Sequence, residues 1–375
     1  MSRLDELIQQ YCPNGVAYVA LETVCLISKG IQFNKKDMHD EGTYPVINGG
    51  INPSGYIEQY NQEEKTITIS QGGASAGFVN WLDTKFWAGA HCYVLKPTNN
   101  VLNRYLFHFV KSKEYKLQEC QYGAGIPALA KSTVASLEIP VPPLPVQEEI
   151  VRILDNFTEL TVELTAELAA RKKQYEYYRD ELFRTAKDAE VYYLNEISEN
   201  CDNQRKPVTS GNRIAGEYPY YGASGIIDYV DDYIFDGDYL LISEDGANLL
   251  ARSTPIAFSI SGKNWVNNHA HILRFDTYET RRYVDIYLNS IDLSPYITGG
   301  AQPKLNQKNL NKIPIPVPSL AEQQRIVGIL DRFDTLCNDL TSGLPAEIEA
   351  RQKQYEYYRD KLLSFRPLSQ SVRND

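Results

Sequence analysis

Two blocks of this chain are written twice, and a duplicated unit restricts the available architectures more than any local propensity does. Ile139-Pro-Val-Pro-Pro-Leu, followed by Gln147-Glu-Glu-Ile-Val-Arg-Ile-Leu-Asp155, returns 176 residues later as Ile315-Pro-Val-Pro-Ser-Leu and Gln323-Gln-Arg-Ile-Val-Gly-Ile-Leu-Asp331. Gln174-Tyr-Glu-Tyr-Tyr-Arg-Asp180 returns unchanged as Gln354 to Asp360, now at an offset of 180, so the second copy carries four extra residues between its blocks. Upstream the likeness is fainter: Gly125-Ile-Pro127-Ala-Leu129 aligns with Ala301-Gln-Pro303-Lys-Leu305, and Ile69-Ser70-Gln-Gly-Gly73 with Ile242-Ser243-Glu-Asp-Gly246. The order is therefore A-B-A′-B′.

Each A segment is rich in Gly, Asn, Tyr and short β-prone runs such as Thr66-Ile-Thr-Ile-Ser70 and Tyr239-Leu-Leu-Ile-Ser243, cut by Asn-Gly-Gly and Gly-Ala-Ser-Gly turns. This predicts α+β domains, each closed by a Pro-rich strap that delays helix until its prolines have passed. The B segments carry a helical apolar step. Ile150, Ile153, Phe157, Leu160 and Leu164 lead, after a shift, to Leu168, Tyr175, Tyr178 and Leu182; the second copy repeats this with Ile326, Ile329, Phe333, Leu336, Leu340, Ile348, Tyr355, Tyr358 and Leu362. Gly343-Leu-Pro345 should break the second helix, so the first is the continuous one and should hold the A domains apart. Two matching seams favour mutual burial as an antiparallel pair; the plainer alternative packs each helix on its own A domain.

The 375 residues exclude a peptide or disulfide miniprotein, and no run is long and apolar enough to span a membrane. An acidic start unlike a secretory signal makes the cytoplasm the expected compartment. Six scattered cysteines without a Cys-x-x-Cys pair read as reduced thiols. The net charge of -10 seems at first to oppose a polyanionic partner. Residues 147–183, however, hold nine acidic and five basic side chains, and 321–363 hold eight and six, so the helices carry -6 of that charge. Local basic groups remain on the A domains. Lys29, Lys35 and Lys36 precede Tyr44-Pro45, while Arg205, Lys206 and Arg213 precede Tyr218-Pro219. Their parallel placement points to phosphate; solvated loop lysines are the bland reading.

On these residues the chain resembles, over essentially its full length, the specificity subunit of type I restriction-modification systems. The opening Leu4-Asp-Glu-Leu-Ile-Gln-Gln-Tyr-Cys-Pro-Asn-Gly-Val16 looks like the start of such subunits, and the strap followed by Gln-Glu-x-Ile-Val-x-Ile-Leu-Asp occurs twice, as their spacers do. The resemblance implies an α+β fold: two α/β target recognition domains (1–145 and 186–320) separated by helical spacers (146–185 and 321–365) that form an antiparallel coiled coil with an internal pseudo-two-fold repeat, and a tail at 366–375. It implies a non-catalytic reader of double-stranded DNA. Two methyltransferase subunits would dock on the helices and restriction/translocase subunits would join them. The unlike A domains should read unlike half-sites, about one helical turn or 34 Å apart, giving an asymmetric bipartite target.

Base readout needs groups that reach groove edges. The loops Ser70-Gln-Gly-Gly-Ala-Ser75 and Ser243-Glu-Asp-Gly-Ala-Asn248 offer Gln71, Gly72, Gly73, Ser75, Glu244 and Asn248; Gln and Asn suit adenine, and Glu244 suits the cytosine amino group. Lys131, Gln302, Lys304, Arg252, Lys263 and Asn264 are further candidates for phosphate or base. Each also reads as part of a tight, self-satisfied turn. Tyr177 and Tyr357 lie off the apolar stripe and are candidates for subunit contact, whereas Tyr175 and Tyr178 should be core. Gly125 to Ser132 lacks the second glycine of a phosphate-binding loop, and His269-Ala-His271 has no third metal ligand at a familiar spacing. Glu63-Glu-Lys65 lacks the Pro-Asp of a nuclease site, and no Asn-Pro-Pro-Tyr marks a methyltransferase. No catalytic residue, metal or cofactor is therefore expected. The alternatives are a coiled-coil protein adaptor and a specificity factor of a related methylation-based defence system.

Overall fold

Prolines 140, 142, 143 and 145 in the first copy, and 314, 316 and 318 in the second, dictate how each passes from sheet to helix. The computed structural model describes residues 2–123, 125 and 127–368, so most of the expected tail lies outside it. Glu138–Pro140 pairs antiparallel with Tyr18–Ala20, and Pro314–Val317 pairs with Glu190–Tyr193. These two-stranded ribbons tolerate the N–H groups that proline lacks. The helix then starts at Leu144, with Pro145 in the first turn where no N–H is needed, and runs to Arg184; 41 residues make roughly 60 Å.

The second copy divides into Leu320–Asn338 and Leu344–Leu362. Asp339 ends the first helix by accepting from Thr341 N at 2.7 Å, Thr341 Oγ1 at 2.6 Å and Ser342 Oγ at 2.7 Å, which holds its carboxyl well below the usual range. A Cβ on Gly343 would press on the carbonyls of Thr335 and Asp339, so that turn needs glycine. Leu340, expected on the apolar seam, sits instead in this turn and is 76% exposed. The helix stops before reaching it.

Two units divide the chain, residues 1–165 with 347–375 and residues 166–346. In the first, an antiparallel sheet runs in the order Cys25–Lys29, Cys92–Pro97, Thr66–Ser70, Val79–Leu82. In the second the order is Glu199–Asn200, Ala270–Arg274, Tyr239–Ser243, Ala257–Ile260. Each unit adds a smaller sheet containing one parallel pair, Val46 opposite Trp87 and Tyr220 opposite Trp265. One helix backs each large sheet, Asn103–Ser112 and Tyr278–Ser290.

The two packing arrangements weighed for the long helices both occur. Val146, Ile150 and Leu154 are buried in the first unit's core with Ile67, Ile69, Tyr105 and Phe109. Ile326 and Leu330 join Leu240, Ile242, Tyr283 and Leu288 in the second. Beyond those turns, helix meets helix in antiparallel sense: Phe157 stacks on Tyr358 in unit one, and Tyr175 and Tyr178 meet Phe333 in unit two. Tyr178 remains 41% exposed, so of the two tyrosines expected in the core only Tyr175 joins it.

The join between sheet domain and helix is built twice from the same parts. Arg104 Nε donates to Asp155 at 2.7 Å, and Arg282 Nε to Asp331 at 2.7 Å. Tyr105 donates its hydroxyl to Pro140 O at 3.0 Å, and Tyr283 to Pro316 O at 2.8 Å. Buried Gln147 donates to Pro142 O, as Gln323 does to Pro318 O. No helix among the described residues is long and apolar enough to cross a membrane.

Candidate nucleic-acid interface

In each unit a central strand ends in the glycine-containing loop, and the same four hydrogen bonds tie that loop to two others. Gln71 N donates to His91 O at 2.8 Å, Leu129 N to Gln71 O at 2.8 Å, and Gly73 N to Pro127 O at 2.9 Å. In unit two Glu244 N donates to His269 O at 2.9 Å, Leu305 N to Glu244 O at 2.7 Å, and Gly246 N to Pro303 O at 3.1 Å. The fourth bond comes from below, from Tyr93 Oη to Leu129 O at 2.9 Å and from His271 Nε2 to Leu305 O at 2.8 Å. Gly73 and Gly246 take φ of +87° and +108°, which side chains other than glycine rarely adopt. The basic segments are tied in as well, since Trp87 Nε1 donates to Ile31 O at 2.9 Å and Trp265 Nε1 to Lys206 O at 2.6 Å.

This scaffold gathers residues that the sequence pairs only by analogy, and it differs in what it holds. In unit one Lys29, Lys35, Lys36 and Lys131 are exposed, while Gln71, Gly72, Gly73 and Ser75 are half-buried on the loop. In unit two Lys206, Lys263, Gln302 and Lys304 are exposed. Lys263 lies 4.6 Å from the centre of the Tyr233 ring.

Other candidates find their partners inside the protein. Arg205 donates to Glu244 at 2.8 Å and to Ala270 O at 2.6 Å, and Lys304 reaches the other Glu244 oxygen at 3.1 Å. Glu244 is thus held between Arg205 and Lys304 within the protein. Asn264 is fully buried and donates to Gly262 O at 2.8 Å. Asn248 closes its own loop, accepting from Ser253 Oγ at 2.9 Å and Thr254 N at 3.1 Å. Arg252, at φ 52°, donates to Ile291 O at 2.6 Å. Arg213 pairs with Asp228 at 3.1 Å and covers the Tyr220 ring. Each of these six residues thus makes a short local or cross-loop bond within the protein, although Asn264 Oδ1 is buried without a partner.

The fold does bring carboxylates to His271 that no short spacing shows. Ligand-type atoms of Asp202, Glu244 and His271 lie within 4.8 Å of one another. They form a charge clamp. His271 Nδ1 faces Asp202 at 2.6 Å and Nε2 faces Leu305 O at 2.8 Å, so both ring nitrogens are engaged within the protein. Burial pushes both carboxyls up, yet the hydrogen bonds and charges of His271 and Arg205 outweigh it and hold Asp202 and Glu244 below their ordinary values.

Residue-by-residue reading passes over His91 and weighs His269 only as a metal ligand. Both are exposed, beside the loop in their units, and their N–H groups donate to Asn48 Oδ1 at 2.9 Å and Asn267 Oδ1 at 2.8 Å. The signal was Trp-x-x-x-His at 87–91 and again at 265–269, an offset of 178. His269 also pairs with Asp245 at 2.9 Å. On the helices, Tyr177 and Tyr357 are 66% and 62% exposed, each edge-on to the next tyrosine.

A family model for the type I restriction modification DNA specificity domain matches residues 13–171 and again 186–350. The specificity subunit of the Escherichia coli type I restriction enzyme EcoR124I/EcoR124II is 33% identical over 380 residues, covering 90% of this chain and 91% of that one. A Haemophilus influenzae chain, also named for a type I restriction enzyme specificity subunit, is 33% identical over 355 residues, covering 88% and 90%. The crystal structure of a type I system S subunit from M. genitalium shares the fold with a TM-score of 0.64, over 93% of this chain and 96% of that one at 20% identity. Two matches of one domain model, laid over two halves whose hydrogen bonds repeat, place this chain in the family of type I restriction-modification specificity subunits.

Proposed function

We propose that the chain reads an asymmetric bipartite DNA target, one half-site through residues 1–145 and the other through 186–320. One observation carries this reading. A single loop scaffold occurs in both units and presents different groups at matched positions: Gln71 against Glu244, Gly72 against Asp245, and Ala128 against the exposed Lys304. A shared frame with unlike contents is what two readers of unlike half-sites require.

The helical segments 146–185 and 321–365 set the gap and dock two methyltransferase subunits, with Tyr177 and Tyr357 among the contacts. Restriction/translocase subunits join that complex. Adenine methylation and cleavage belong to those partners, and this chain supplies the choice of site.

Co-expressing the chain with its methyltransferase and mapping methylated adenines across a genome tests the reading. A split motif with unlike halves that disappears without this chain is the expected result. An active, stable complex that yields no motif would overturn it in favour of a protein adaptor.

A further inference from the structure

A hairpin in each unit lays its tip on the loop scaffold. In unit one Tyr44–Ile47 returns through Tyr56–Ile57, and in unit two Ala215–Gly222 returns through Gly225–Val230. A Cβ on Gly49 would run into the Gly72 carbonyl and lie 3.5 Å from His91 Cβ. Ala223 O accepts the Ser243 hydroxyl, and a Cβ on Gly222 would lie 3.6 Å from Asn267 Nδ2, the side chain that holds the His269 backbone. Both tips are thus continuous with the residues grouped around Gln71 and Glu244.

Each hairpin exposes isoleucine, in its turn in unit one and at the start of its return strand in unit two. Ile51 is 55% exposed, Ile226 46% and Ile227 52%. Ile227 folds back across the hairpin, its Cγ2 only 3.2 Å from where a Gly222 Cβ would sit. Single exposed apolar side chains are ordinary on a protein surface. What distinguishes these is that each hairpin touching the loops proposed to face DNA carries exposed isoleucine, Ile51 within the turn of the first and Ile226 with Ile227 on the return strand of the second. Leu26 and Ile214 are more exposed, at 65% and 66%, but Leu26 lies on another strand and Ile214 at the open end of its hairpin, away from the tip.

Resting on the reading that these loops face DNA, we infer that Ile51 in the first domain and Ile226 with Ile227 in the second contact thymine 5-methyl groups in the major groove. That methyl is the one apolar feature a base edge presents there, and an aliphatic side chain is its complement. The polar loop groups read hydrogen-bonding edges, and the isoleucines separate thymine from cytosine beside them.

The test uses the complex with its methyltransferase, on duplexes carrying the mapped motif with each thymine replaced in turn by deoxyuridine. One or two positions per half-site should lose about three- to fivefold in affinity, the worth of one methyl group. Ile226→Ala with Ile227→Ala should abolish that sensitivity in the second half-site alone, and Ile51→Ala in the first alone. The change in the DNA requires no change in the protein, so misfolding cannot imitate it. The inference is overturned if uridine is tolerated throughout. It is equally overturned if the isoleucine variants weaken assembly with the methyltransferase while keeping uridine discrimination, which would make the hairpins a protein-docking surface. Failure of the parent reading looks different, because no split motif would then exist.

Discussion

Phe157 stacks on Tyr358 with ring centroids 5.4 Å apart and planes 17° from parallel, and the repeat sets Phe333 against Tyr178 at 5.9 Å. Each aromatic pair lies within its own unit. Phe157→Ala and Phe333→Ala should each cost about 1–2 kcal/mol, less than a fully buried phenylalanine because both are half-buried. Hydrogen exchange should rise in 144–165 and 347–362 for the first variant, and in 166–184 and 320–338 for the second. An equal rise everywhere would show that the pairs are not independent.

Arg282 and Arg104 occupy matched positions with unequal consequences. Arg282 binds Asp285, Asp331 and Asp334 at 3.0, 2.7 and 2.7 Å, and the Asp285 side chain is 3% exposed. Removing the guanidinium in Arg282→Met leaves the buried Asp285 carboxyl with only the neutral donors Ser259 and Asn289 and should cost about 3–5 kcal/mol. Arg104→Met leaves Asp155 more exposed and still bonded to His108, so about 1–2 kcal/mol is expected. Denaturant unfolding of the two variants should rank them in that order.

His108 makes unit one sensitive to acid. Burial pulls its pKa below the ordinary 6.5, against the opposing pull of Asp155, and the neutral ring donates to Asp155 while accepting from Tyr355. A histidine with a lowered folded pKa contributes stability that is fully present above about 6.5. It is lost as pH falls from there to the folded value, at no more than about 1.4 kcal/mol per pH unit. Asp155, also held low, contributes stability that is full above about 3.8 and is lost only as pH falls below it. Melting between pH 7.5 and 5 should therefore fall in the native chain and flatten in His108→Gln. An unchanged slope would place the acid sensitivity elsewhere.

The stretch between Leu164 and Leu168 lies in the continuous helix where the two units meet along the chain. Four inserted residues add roughly 6 Å of helix. The methylated motif should keep both half-sites while its gap grows by one or two base pairs, at 3.4 Å per step. Loss of either half-site would contradict a spacer role.

The repeat and the helices were legible because a 3.6-residue apolar period and an unchanged heptapeptide survive in one dimension. Leu340 was misplaced because periodicity does not see a side-chain cap, and Asp339 ends the helix before the Gly343-Leu-Pro345 break. The glycine-containing loops were legible through their matched Ser-x-x-Gly spacing. Arg205, Glu244 and Lys304 were not, since each reads as a free polar group until the fold brings its neighbour from 39 or 60 residues away. The Trp-x-x-x-His pair could have been found by aligning the copies across 178 residues rather than judging each histidine alone.

In unit one, Val16 donates to Arg366 O, Leu368 N donates to Val16 O, and the Tyr18 hydroxyl bonds the Phe365 backbone. Residues 16–18 and 365–368 are thereby tied to one another within unit one, so a cut in an exposed turn elsewhere need not part them. A circularly permuted version, joined across these strands and opened in the exposed Thr341-Ser342 turn, should retain both loop scaffolds. It would begin where the duplicated helix already breaks, and would read the same two half-sites.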